Sequence, residues 1–107
     1  MWYEERNRPH EAQIARWCIA RTLRSLGRLH EAFTMQADLR IEIENSANEP
    51  DGYVYEELGE CAILLNKSQK EIADYFKKAY TLLSCDINFT ATESERLSRI
   101  KKISETE

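Results

Sequence analysis

The stretch that decides the fold is YEELGECAILLNKSQKEIADYFKKA, residues 55–79. In both halves of it, apolar or small residues recur at intervals of three and four, the spacing of one face of an α-helix. A short polar break separates the halves, and Ser68 with Glu71 makes the Ser-x-x-Glu pattern that starts a helix. The stretch therefore predicts a pair of helices joined by a tight turn. Its predicted core positions extend to Leu83: Tyr55, Leu58, Ala62, Leu65, Ile72, Tyr75, Phe76, Ala79, Leu82 and Leu83.

The same hairpin pattern occurs once before, between Ala15 and Leu39, with weaker apolar faces. We expect its first helix to begin near Pro9 and to end at Gly27, because Pro suits an initial helical position and Gly suits the cap at the end. A second helix should follow from about Leu29 to Glu44, and the very short link makes the two antiparallel. The stripe of the first helix that we expect in the core is Ala12, Ala15, Ile19, Leu23 and Leu26, and that of the second helix is Leu29, Ala32, Phe33, Leu39 and Ile43.

A loop at residues 45–52, rich in Ser, Asn, Pro and Gly, separates the two hairpins. Beyond Cys85 we expect a connector, followed by a last helix that starts at the capping pattern Thr92-x-x-Glu95. Its apolar stripe of Leu97, Ile100 and Ile103 should cover the second hairpin, and its outer face is polar. The sequence thus predicts an all-α protein of about five helices in antiparallel hairpins. We expect residues 1–107 to form a single domain, with hairpin 1 at about 9–45, hairpin 2 at about 51–84 and a capping helix at about 92–104.

Composition excludes several classes of protein. Apolar residues make up 42% of the chain and charged residues 32%, which is typical of a globular domain. No run of about 18 apolar residues is present, and the first residues lack the pattern of a secretory signal, so we expect a cytoplasmic protein without a membrane span. The three cysteines are far apart, which argues against disulfides and zinc and favours small buried hydrophobes. No motif predicts a cofactor.

The second hairpin resembles a tetratricopeptide repeat. Tyr55, the pair Leu58-Gly59, Phe76 and Ala79 stand where that family's pattern has its aromatic, Leu-Gly and Ala residues. The first hairpin matches less well, with suitable Ala residues at 20 and 32 but without the expected aromatics at 16, 23 and 36, and the two copies are about 39 residues apart where the family repeats at about 34. Over residues 12–84 the resemblance implies stacked hairpins and a scaffold or adaptor that binds a protein or peptide in the groove lined by the first helix of each hairpin.

A second stripe of the first helix lies on the face that the resemblance assigns to this groove. Trp17 offers apolar area there, and Arg guanidinium groups can bind carboxylates with two parallel hydrogen bonds, which favours an acidic or C-terminal peptide. The alternative is that these Arg residues pair with Glu56, Glu57 and Glu60 within the fold. The wall of the groove on the third helix is part apolar and part acidic, and it would also suit a partner with both apolar and basic groups. It consists of Tyr53, Glu56, Ile63 and Leu64. The candidate partner-binding residues are Ile14, Trp17, Arg21, Arg24, Arg28, Tyr53, Glu56 and Glu60.

Charge is unevenly distributed along the chain. Residues 1–28 carry a formal charge of +3, residues 29–65 carry −8 and residues 66–107 carry +1. The acidic middle suggests an alternative function, a small antidote or immunity-type protein that masks a basic surface of its partner. The acidic total argues against nucleic-acid binding. The acids of that alternative are Glu42, Glu44, Glu49, Asp51, Glu56 and Glu60.

Two further expectations concern self-association and catalysis. Two repeats alone bury little core, so an exposed end could pair with a second copy, with Trp2 and Tyr3 as anchors; alternatively, those two side chains fold back on the first helix. His10 and His30 each lack a second His at the spacing of a zinc-protease helix, and no nucleophile has an obvious base. We therefore predict no catalytic site and no metal site.

Overall fold

The computed structural model describes residues 9–45 and 51–105, and for residues 9–11 only the helical backbone. Within these ranges the chain forms six α-helices and no strand, which confirms the all-α prediction. In chain order they are α1 Pro9–Ser25, α2 Leu29–Asn45, α3 Gly52–Leu64, α4 Gln69–Leu83, α5 Ile87–Thr92 and α6 Ser94–Ser104. None of the described helices is both long and apolar enough to cross a membrane.

Both hairpins turn by the same device. After α1, Gly27 adopts a left-handed φ of 83°, and the Arg28 amide donates to the Leu23 carbonyl at 2.9 Å. After α3, Asn66 takes the left-handed position at φ 58°, and the Lys67 amide donates to the Ala62 carbonyl at 3.0 Å. This pattern satisfies carbonyls that the last turn of a helix leaves without partners. Two tight turns of one type therefore produce two antiparallel helix pairs.

Successive helices stack in a fixed order. α1 packs on α2, α2 on α3, α3 on α4, and α4 on α6. Gly59 allows the close approach of α3 and α4, because a Cβ atom there would lie only 2.5 Å from a ring atom of Phe76. At the start of α3, a Cβ on Gly52 would lie 2.7 Å from the Leu83 side chain. The predicted stacking of helical hairpins is confirmed.

The hydrophobic core is centred on the second hairpin. Phe76, Leu58, Leu39, Phe89 and Ile100 are fully buried there and come from five different helices. The predicted start of α4 is also correct, since the Ser68 hydroxyl accepts a hydrogen bond from the Glu71 amide at 3.1 Å. The predicted faces of α2, α3, α4 and α6 are all buried or half-buried.

For α1, the predicted core face was wrong at Ala15, Ile19 and Leu26, which are exposed, whereas Ala12 and Leu23 are half-buried as predicted. Ile19 is 52% exposed and Leu26 is 68% exposed, whereas Gln13 and Ala20 are buried. Among the described residues α1 packs on α2 and, to a smaller extent, on α3, so the side of α1 that points away from these two helices is exposed.

The region after Cys85 also differs from the prediction. Residues predicted as a connector form the short helix α5, capped by Asp86, whose carboxylate accepts from the Phe89 amide at 3.1 Å. Thr92 is therefore the last residue of α5, and the cap position of α6 is Glu93, which makes no side-chain capping bond. The chain thus has six described helices rather than about five. Of the cysteines only Cys61 is buried, while Cys18 and Cys85 are exposed.

Candidate partner-binding site

Glu57 on α3 is held by the arginines of α1. Its side chain is 3% exposed, and its two carboxylate oxygens accept hydrogen bonds from Arg24 at 2.7 and 3.2 Å. Arg21 approaches the same carboxylate at 3.6 Å. The hydrogen bond to Glu57 raises the pKa of Arg24 above the usual value for a guanidinium, with burial opposing it. Arg24 and Arg21 thus follow the alternative in which the stripe pairs within the fold.

Glu56 and Glu60 do not pair with the arginines of α1, so the predicted pairing was wrong for these two acids. Glu56 is buried and accepts from Arg96 of α6 at 2.7 Å, and Glu60 forms a two-pronged ion pair with Arg99 of α6. Arg28 bonds its neighbour Glu31 instead. Sequence reasoning missed both α6 arginines. The one available signal was their spacing: Arg96 and Arg99 are three residues apart and Glu56 and Glu60 are four apart, so each pair lies on one face of its helix.

A row of aromatic rings runs beside these ion pairs. The Trp17 and Tyr53 ring centroids are 5.9 Å apart, those of Tyr53 and Phe89 are 5.6 Å apart, and both pairs are edge-to-face. The Trp17 indole nitrogen donates to the Tyr53 carbonyl at 3.2 Å, and the Arg21 guanidinium lies 5.2 Å above the Trp17 ring. Because a hydrogen bond, a ring contact and a cation hold it, the Trp17 side chain has a defined position.

An open cavity of about 590 Å³ lies between the two hairpins. This volume falls within the range of about 300–1,000 Å³ typical of ligand sites. α1, α2, α3 and the segment from α4 to the start of α5 contribute to its wall. The wall consists of Gln13, Ile14, Trp17, Leu39, Ile43, Asp51, Gly52, Tyr53, Val54, Leu82, Leu83 and Asp86.

Two carboxylates on this wall stand at helix starts. Asp51 accepts from the Tyr53 amide at 2.8 Å and caps α3, while Asp86 caps α5. Burial raises the pKa of the Tyr53 phenol, Asp86 and Asp51 raise it further, and Arg96 opposes them. The negative charges of Asp51 and Asp86 therefore both act on the Tyr53 phenol. No Lys or Arg side chain lines the cavity in the part of the chain that the structure describes.

The cavity brings together three of the predicted partner-binding residues: Ile14, Trp17 and Tyr53. The other five lie elsewhere, in ion pairs. Of the mixed wall proposed for α3, Ile63 lines a second cavity of about 400 Å³ near α6, and Leu64 is 49% exposed. The predictions for Trp2, Tyr3 and Glu49 lie outside the described residues.

Burial raises the pKa of the Cys61 thiol to about 11, so at neutral pH it is a protonated, weakly nucleophilic group. In residues 9–45 and 51–105 no three His, Cys, Asp or Glu side chains are grouped so that they could hold a metal ion. Comparison of the chain with protein-family models, with curated proteins and with solved structures finds no match.

Proposed function

We propose that this protein is a cytoplasmic scaffold or adaptor of the tetratricopeptide-like type that binds a segment of another protein in the cavity between its two hairpins. The observation that carries the proposal is the open cavity of about 590 Å³, on whose wall Ile14, Trp17 and Tyr53 lie together. Ile14 is 47% exposed although it is apolar and stands beside a fixed Trp side chain. A partner side chain that entered the cavity would remove this apolar area from water, which favours binding.

The ion pairs of the α1 arginines change the chemistry of the partner that we expect. Arg24 is bound to the buried Glu57, so binding a carboxylate of a peptide would require it to leave that carboxylate, with Arg21 at 3.6 Å as the remaining cation beside it. Removing one partner of a buried ion pair costs up to about 3–5 kcal/mol. An acidic peptide on the arginine stripe is therefore a weaker proposal than an apolar segment in the cavity.

The alternative of an acidic antidote protein receives less support. Glu42 bonds Arg16, Glu44 accepts from the Tyr55 hydroxyl at 2.6 Å, and Glu56 and Glu60 bond the arginines of α6. Most of the acids on which that function would depend are thus already partnered. We keep it as the alternative for a partner that proves strongly basic and lacks apolar anchors.

The test of the proposal uses two isoleucines of one helix. Ile14 and Ile19 are exposed to 47% and 52%, and only Ile14 lines the cavity. We expect both Ile14→Glu and Ile19→Glu to keep the helical circular dichroism signal and melting temperature close to those of the wild type. Each protein is immobilised and used to capture partners from a lysate of its source. Ile14→Glu should lose the specific partner, and Ile19→Glu should retain it.

Equal capture by both variants would refute the cavity as the binding site. Loss with Ile19→Glu alone would instead place binding on the exposed face of α1. Light scattering of the wild type and Ile19→Glu over a range of concentrations tests whether the chain self-associates, as predicted, and whether this exposed face takes part. If the mass of the wild type equals that of one chain at every concentration, the prediction of self-association is refuted.

A further inference from the structure

The cavity between the hairpins has an apolar wall that carries two negative charges. Ile14, Val54 and Leu82 are apolar, while Asp51 and Asp86 are acidic. An apolar cavity alone binds apolar side chains of many kinds. The carboxylates make this one selective, because a charged neighbour of the entering side chain would be attracted or repelled.

Among the described residues each of these carboxylates accepts a single hydrogen bond. Oδ1 of Asp51 accepts from the Tyr53 amide, and Oδ1 of Asp86 accepts from the Phe89 amide. A carboxylate has about four acceptor positions, so a single backbone bond leaves most of them available. Among the described residues neither carboxylate forms a salt bridge. Arg96, the cation that acts on Tyr53, is already bound to Glu56 and lies 3.6 Å from Glu93.

Resting on the proposed function, we infer that the cavity recognises a partner segment in which an apolar side chain stands next to a Lys or Arg. The apolar side chain enters between Ile14, Trp17 and Leu82. The neighbouring cation lies against Asp51 and Asp86. The wall is preformed, since Trp17 is hydrogen-bonded to the Tyr53 carbonyl and the two carboxylates are held at helix starts. The side chains of the wall therefore lose little conformational entropy when a partner binds.

The test uses the full-length chain and three synthetic peptides of equal length. One has Leu-Phe-Lys-Lys at its centre, the second Leu-Phe-Glu-Glu and the third Ser-Ser-Lys-Lys. Binding is followed in proton–nitrogen NMR spectra through the indole N–H signal of Trp17, which a Trp2→Phe variant distinguishes from that of Trp2. We expect the Leu-Phe-Lys-Lys peptide to shift the Trp17 signal and to bind at least about tenfold more tightly than the other two.

A double variant isolates the two charges. Asp51→Asn with Asp86→Asn keeps both helix caps, because Asn caps as well as Asp does, and it removes only the negative charge. It should weaken the Leu-Phe-Lys-Lys peptide about tenfold and reduce the salt dependence of binding. The matched control, Asp38→Asn with Glu95→Gln, changes the net charge equally at exposed positions outside the cavity. It should bind as the wild type does.

The outcomes separate the two proposals. If the Leu-Phe-Glu-Glu peptide binds as tightly as Leu-Phe-Lys-Lys, or if the double Asn variant binds normally, the preference for a cation is refuted and the binding function stands. If no peptide shifts the Trp17 signal, the inference is refuted, and the function falls as well if Ile14→Glu retains its captured partner. A nuclear Overhauser contact between the Trp2 ring and the Leu82 methyl groups in the free protein would identify the chain's own first residues as the occupant and overturn the inference.

Discussion

Replacing Gly59 with Ala tests the packing on which the whole stack depends. At an exposed position inside a helix this change stabilises a protein by about 1 kcal/mol, because Gly loses more backbone freedom on folding. Gly59 is buried, and its added Cβ would lie 2.5, 2.8 and 2.9 Å from three ring atoms of Phe76, where ordinary contact begins at 3.4 Å. We therefore expect the sign to reverse.

The magnitude follows from how far the ring must move. Phe76 is fully buried, so its ring has no free space to enter and α3 must move away from α4 instead. Overpacking of this kind typically costs about 1–3 kcal/mol. After the gain in helix propensity of about 1 kcal/mol is subtracted, the net loss in the free energy of unfolding should be up to about 2 kcal/mol.

The assay is urea unfolding of four proteins: the wild type, Gly59→Ala, Phe76→Leu and the double variant. Phe76→Leu removes the ring that the new methyl group strikes. In that background Gly59→Ala should be neutral or stabilising by up to about 1 kcal/mol, which gives a coupling energy of about 2 kcal/mol. If Gly59→Ala stabilises the wild-type chain as it would an exposed helix, α3 and α4 do not meet at this residue and the stacking described above is wrong.

Three further predictions concern single buried or paired groups. Gln36 is fully buried, and its Oε1 makes no hydrogen bond among the described residues, so Gln36→Met should stabilise the chain by about 1 kcal/mol and raise the melting temperature by roughly 4–8 °C; an unchanged or lower value would contradict this. Hydrogen bonds from Arg16 and then Gln13 hold the pKa of Glu42 below its usual value. Glu42 therefore stabilises the fold above its pKa in the unfolded chain, and this contribution is lost as the pH falls through its pKa in the folded protein. Glu42→Gln should flatten the acid side of the curve of stability against pH below about pH 4.5, and identical curves would refute the pairing of Glu42 with Arg16. In the native protein a thiol reagent at pH 8 should modify the two exposed cysteines rapidly and Cys61 only after unfolding, whereas three equally fast reactions would show that α3 is not packed as described.

Much of the fold could be predicted because its signals are local. The turn that follows α1 depends on Gly27, a residue that tolerates positive φ, and the start of α4 depends on the Ser68 hydroxyl three residues before Glu71. Each signal acts within one turn of the chain, so it can be recognised without knowing the neighbours. The short α5 was missed because its cap, Asp86, follows Cys85 without a pronounced apolar pattern.

The site could be predicted only in part. Trp17 and Tyr53 were recognised as apolar groups of the first helices, and the cavity does bring them together with Ile14. The ion pairs could not be assigned, since Glu56 and Arg96 are 40 residues apart and Arg24 and Glu57 are 33 apart. Any of several arginines could have reached these carboxylates. Which one does so depends on how the helices are stacked.

By itself, the sequence determined that this chain forms antiparallel helix pairs, where most of them begin and end, and which face of α2, α3, α4 and α6 is buried. Those properties follow from backbone preferences and from apolar spacing within single helices. Only the tertiary structure decided that Ala15, Ile19 and Leu26 of α1 stay exposed, that the acids of α3 pair with α6 as well as α1, and that a cavity with two carboxylates opens between the hairpins. These depend on which surfaces become neighbours, because burial and ion pairing are properties of contacts between helices.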